Sequence, residues 1–104
     1  MNDSKRIRIF SKDEKKHFRL LAAEKATTEH DVFRRLSRDC LEVVQKLLSN
    51  KHCPAHILEF IFDDWCQSPT KFKHVRNLVL AHPNCTKYIR DQEKLFFVQD
   101  LMDI

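Results

Sequence analysis

Residues 43–57 read VVQKLLSNKHCPAHI, and residues 75–89 read VRNLVLAHPNCTKYI. The two stretches match at an offset of 32: Val43 with Val75, Leu48 with Leu80, Cys53 with Cys85 and Ile57 with Ile89. Pro54 pairs with Thr86, and both residues suit the start of a helix. A fainter copy lies at an offset of 26, where residues 21–32 (LAAEKATTEHDV) align with residues 47–58 (LLSNKHCPAHIL). The shared unit is a helix, a sharp corner and a second helix that brings back an apolar residue. Such a unit cannot bury its own apolar side and must stack on neighbours.

The remaining sequence agrees with an all-α chain. The 104 residues contain no glycine, which excludes glycine-dependent phosphate loops and dinucleotide folds and argues against sheets rich in tight hairpins. Prolines 54, 69 and 83 sit at apparent helix boundaries. Apolar spacing predicts a helix from a Ser11 cap with Glu14 to about Lys25, with Phe18, Leu21 and Ala22 inward. A short helix around Asp31 buries Val32, Phe33 and Leu36. A third, over about 38–49, carries Cys40, Leu41, Val44, Leu47 and Leu48. Pro54 opens a fourth, with Ile57, Leu58, Ile61, Phe62 and Trp65. After a linker at 67–70, a fifth over about 70–81 turns Phe72, Val75, Leu78 and Val79 inward. Thr86 caps a short sixth helix that includes Ile89, and Leu95, Phe96, Val98, Leu101 and Met102 mark a terminal helix, continuous with it or following it. Residues 1–10 alternate weakly and are expected to form a flexible or extended basic arm ahead of a single domain over 11–104.

The corner residues carry a family resemblance. Leu47-x-x-Asn50-x-x-Cys53-Pro54-x-x-Ile57-Leu58 resembles the variant leucine-rich repeat, and Leu80-Ala-His-Pro-Asn-Cys-Thr-x-x-Ile89 resembles that family's corner more closely still. These matches cover about half the chain. The resemblance implies alternating longer and shorter helices in a right-handed superhelix, related in shape to HEAT and armadillo stacks. The expected fold is therefore a short right-handed helical-repeat stack of five to seven helices. The cysteine cluster that holds iron and sulfur in some members has no counterpart here.

Chemistry is sparse in this pattern. His52, Cys53 and His56 lie at one corner and His82 and Cys85 at the other, with Cys66 and His74 between them. Zinc accepts such donors, but no Cys-x-x-Cys pair occurs and the repeat accounts for Cys53 and Cys85 as apolar filling. Asp63 and Asp64 are adjacent, so they do not face each other on a helix. Cys53 with His56 supplies two members of a nucleophilic site without a third. No metal, cofactor or catalytic residue is expected.

Binding is the remaining class. Phe60, Phe72, Tyr88, Phe96 and Phe97 cannot all join the inward stripe of Ile57, Ile61, Val75, Val79 and Leu95. Phe60 and Phe97, with Tyr88 and Phe96, are therefore the expected contacts for a protein partner, a second copy of the chain included. The other reading is nucleic acid. The first 25 residues hold eight Lys/Arg against four Asp/Glu, so the whole net charge of +4 resides there. Lys5, Arg6, Arg8, Lys12, Lys16, Arg19, Arg34 and Arg38 are the candidate phosphate contacts. No stretch is long and apolar enough to span a membrane, and four cysteines without a secretory leader suggest a cytoplasmic protein with reduced thiols.

Overall fold

The computed structural model describes residues 3–67 and 72–102, with side chains through Leu95. Among these residues every regular element is a helix: α1 (Asp3–Ser11), α2 (Lys16–Lys25), α3 (His30–Leu36), α4 (Leu41–Leu48), α5 (Ala55–Trp65), α6 (Lys73–Ala81) and α7 (Lys87–Met102). Seven helices fall at the top of the expected range. The body is elongated, 56 × 24 × 16 Å. Helix α2 packs on α4 and α4 on α6; on the other side α1 packs on α3 and α5 on α7. The buried side chains between these two rows run from Ala22 and Phe33 through Leu47 and Leu58 to Val79 and Ile89.

The two corners that match in sequence also match in their hydrogen bonds. The Asn50 N–H donates to Leu47 O (3.1 Å) and the His82 N–H to Val79 O (3.2 Å). Cys53 N–H reaches Asn50 O (3.1 Å) and Cys85 N–H reaches His82 O (3.0 Å). Leu58 N–H bonds to Pro54 O and Arg90 N–H to Thr86 O. Most telling, Asn50 Oδ1 accepts the His52 N–H at 2.8 Å, while His82 Nδ1 accepts the Asn84 N–H at 3.0 Å. The imidazole repeats the work of the carboxamide.

Each of these side chains also reaches back to the preceding corner. Asn50 Nδ2 donates to Ala23 O at 2.9 Å and Ala26 O at 2.7 Å. His82 Nε2 lies 2.8 Å from Asn50 O, and Asn84 Nδ2 donates to Cys53 O at 2.9 Å. A carbonyl only accepts and an amide N–H only donates, so the His82 ring is the neutral tautomer with its proton on Nε2. Buried carbonyls at helix ends need donors, and here they come from the next corner along the chain.

Several expectations are corrected. Residues 3–10 are not an extended arm: they form α1, which packs on α2 and α3. Its weak alternation conceals a helical face on which Ile7 and Ser11 are buried and Phe10 is partly so, while Ile9 is 49% exposed. Ser4 Oγ donates to the buried Glu29 carboxylate at 2.6 Å, and Arg8 pairs with Asp31, so tertiary contacts hold this helix. Ser11 does not cap the second helix; it ends α1, donating its hydroxyl to Arg8 O. Helix α2 turns Ala22 and Ala23 inward, whereas Leu21 is exposed and Phe18 half-buried against Phe10. Small residues let α2 approach α4 closely. Cys40 is exposed at the extended N-cap of α4 rather than on its buried stripe. Phe72 is exposed in a left-handed conformation (φ 52°), edge-on to Trp65. Leu95 is 60% exposed rather than inward. The expected linker beyond Gln67 lies outside the described residues.

Candidate functional site

Helices α3 and α5 approach each other less closely than α1 and α3 or α5 and α7. Side chains bridge the gap: His30 and His56 rings meet at 5.5 Å, and the Arg38 guanidinium stands over the Phe60 ring, 5.1 Å from its centroid. Between the helices lies a groove of about 170 Å³, lined by Arg34, Ser37, Arg38, His56, Ile57 and Phe60. Helical spacing explains the set. His56, Ile57 and Phe60 share one side of α5 at three- and four-residue steps. Arg34 comes from the last turn of α3, and Ser37 and Arg38 from the turn that follows it. The Ser37 hydroxyl donates to Arg34 O at 2.6 Å, which ties down that turn.

No carboxylate lines the groove, and among the described residues Arg34 and Arg38 make no ion pair. The other expected phosphate contacts differ. Arg8 pairs with Asp31 at 3.1 Å and Lys16 with Glu42 at 3.2 Å. Arg19 is the most committed. Its Nε meets Asp39 at 2.8 Å, and its Nη1 donates to Asp13 O and Glu14 O at 3.0 and 2.8 Å. The Arg8 hydrogen bond lowers the Asp31 pKa. For Asp39, burial pushes upward, but hydrogen bonds from Arg19 and the Cys40 N–H prevail and the net pKa falls. Lys5 and Lys12 are exposed. Arg6 lines a different cavity, about 580 Å³ between α1 and α2, with Asp3, Ile7, Phe10, Leu21 and Lys25. The eight basic residues thus sit in different surroundings.

Of the expected protein contacts, Phe60 is half-buried in the groove. Tyr88 is 44% exposed on α7 and donates its hydroxyl to Asp63 at 3.4 Å. The side chains of Phe96 and Phe97 lie outside the described residues. Sequence reasoning placed Phe60 and Arg38 in two separate readings and left out Ser37, His56 and Ile57 as partners of either. The signal for His56 and Ile57 was their shared helical side with Phe60.

The corner thiols and imidazoles do not converge. Among the described residues no three His, Cys, Asp or Glu side chains form a group able to hold a metal ion. Burial pushes the Cys53 thiol up to about 12 and Cys66 up to about 11, against the opposing charge of Arg76. Both are protonated fillers rather than thiolates. A third cavity, about 410 Å³ and open along α2, α4 and α6, is lined by Leu20, Glu42, Gln45, Lys46, Ser49 and Leu78. None of the three cavities joins a thiol, an imidazole and an acid.

Compared with known protein families, curated proteins and solved structures, the chain matches none. The resemblance to the variant leucine-rich repeat therefore rests on the corner residues alone.

Proposed function

We propose that this chain is a non-catalytic, cytoplasmic protein-binding module. We read it as a short right-handed helical stack of the variant leucine-rich-repeat kind that offers its α3–α5 face to a protein partner. One observation carries the reading: the groove in which Arg38 covers Phe60, flanked by Arg34 and His56. Aromatic and arginine side chains are among the residues that most often concentrate interface energy. The hydrogen bonds repeated at the two corners and the two helix rows favour a stacked scaffold, which suits presentation of a surface.

Nucleic acid is the weaker reading because Arg8, Lys16 and Arg19, three of its eight cations, already neutralise carboxylates of the same chain. The exposed Leu95 on α7 favours a second copy as the partner over a different protein only if the chain sediments as a dimer.

The test is affinity capture from cell extract, with and without nuclease, using the native chain and Phe60→Ala. The proposal expects protein partners that survive nuclease and are lost with Phe60→Ala. Capture that vanishes on nuclease treatment contradicts it and favours the nucleic-acid reading.

A further inference from the structure

We propose that the α3–α5 groove receives a glutamate-bearing peptide segment of the partner, with carboxylates meeting Arg34 and Arg38 and methylenes lying on Phe60; this rests on the protein-binding reading above. Charge is the first argument. Three basic side chains elsewhere in the chain have carboxylate partners at 2.8–3.2 Å. Among the described residues the two arginines of the groove have none, and none of the six lining residues is acidic. Arg34, in the last turn of α3, and Arg38, in the turn after it, bring two like charges to one groove, and an anion from outside relieves their repulsion.

Preorganisation is the second argument. Arg38 is exposed, but its guanidinium stands 5.1 Å over the Phe60 ring, a contact that favours one placement of the fork. A planar fork held by stacking loses little freedom when it grips a carboxylate in two-pronged fashion. Ser37 is committed to Arg34 O and helps hold the backbone that carries both arginines.

Size and shape narrow the occupant. A volume of about 170 Å³ is below the roughly 300–1,000 Å³ of sites that enclose small molecules. It suits one or two side chains of a segment that passes over it. Arg38 stands over one face of the Phe60 ring, so the groove offers a guanidinium with part of a ring rather than the open aromatic platform that single-stranded nucleic acid uses. The half-buried Phe60, in a groove whose other apolar residue Ile57 is almost wholly buried, favours glutamate, whose two methylenes can lie on the part of the ring left open.

The experiment titrates the full chain against three fluorescent probes by anisotropy: a peptide alternating glutamate and leucine, the same peptide with glutamine for glutamate, and single-stranded DNA of equal charge. The glutamate peptide is expected to bind, to weaken with added salt, and to exceed the glutamine peptide at least tenfold. Arg34→Glu with Arg38→Glu is expected to lower its affinity at least tenfold, and Arg34→Gln with Arg38→Gln by a smaller factor at unchanged melting temperature. Lys94→Glu, exposed on α7 and outside the groove lining, changes it less than twofold. Equal binding of the two peptides, indifference to both double variants, or tighter binding of DNA at the same residues overturns the proposal. If the glutamate peptide fails while Phe60→Ala still loses captured protein partners, the glutamate segment is wrong and the protein-binding reading stands. If capture also survives Phe60→Ala, both fall.

Discussion

The corner at Asn50 and the corner at His82 follow the same backbone path with different side chains. Asn50 uses one carboxamide to bind two carbonyls of the preceding corner and the amide two residues ahead. His82 has only one N–H to give, and it goes to Asn50 O; Asn84 supplies the missing donor to Cys53 O. The difference teaches that the position demands a donor and an acceptor at fixed separation, not a residue type. A carboxamide or a neutral imidazole meets the demand.

That comparison is broken most severely at Asn50. Asn50→Leu leaves two buried carbonyls without their donor and one amide without its acceptor, and is expected to cost about 3 kcal/mol in urea unfolding. His82→Leu removes one bond in each direction and is expected to cost about 2 kcal/mol by the same measure. His82→Asn restores the carboxamide used at the other corner. It is expected to stay within about 1 kcal/mol of the native chain, the worth of one net hydrogen bond. If His82→Asn proves as damaging as His82→Leu, the equivalence of the corners is wrong.

Acid sharpens the comparison from the other side. Asp31 and Asp39 have lowered pKa values through Arg8 and Arg19. Their contribution is complete above the ordinary carboxylate range and disappears as pH falls through the lowered folded values. Asp39→Asn is therefore expected to flatten the acid limb of a stability–pH curve, whereas Asn50→Leu moves the whole curve down. The smallest effect is chemical. A thiol reagent is expected to label exposed Cys40 in the folded chain and spare Cys53, whose thiol burial pushes up to about 12. Mass spectrometry reads the ratio, and equal labelling contradicts the buried corner.

Much of the helical order was legible. The run from Leu41 to Phe62 has strong apolar periodicity, and its stripe residues Val44, Leu47, Leu58 and Ile61 are all buried. Helix α1 was not legible, because its inward face is short and its hold comes from Glu29 and Asp31, more than twenty residues away. Helix α2 misled through size: Phe18 and Leu21 are larger, yet Ala22 and Ala23 make the close packing. The groove was half legible. Phe60 and Arg38 each stood out, but nothing local reveals that residues 22 positions apart in sequence meet. Nor does local sequence distinguish Arg19, committed to Asp39, from Arg34, which has no carboxylate partner among the described residues. Both are arginines amid charged neighbours, and only the fold brings an acid to one of them.

The central structural claim is that successive corners support one another. A double-mutant cycle of Asn50→Leu and His82→Leu tests it most directly, with unfolding followed in sucrose so that the double variant stays folded. His82 donates to the turn that Asn50 anchors, so loosening that turn should reduce what His82 contributes. The account predicts that the paired loss falls short of the sum of single losses by at least about 1 kcal/mol. Additivity within about 0.3 kcal/mol contradicts it and leaves two corners that merely look alike.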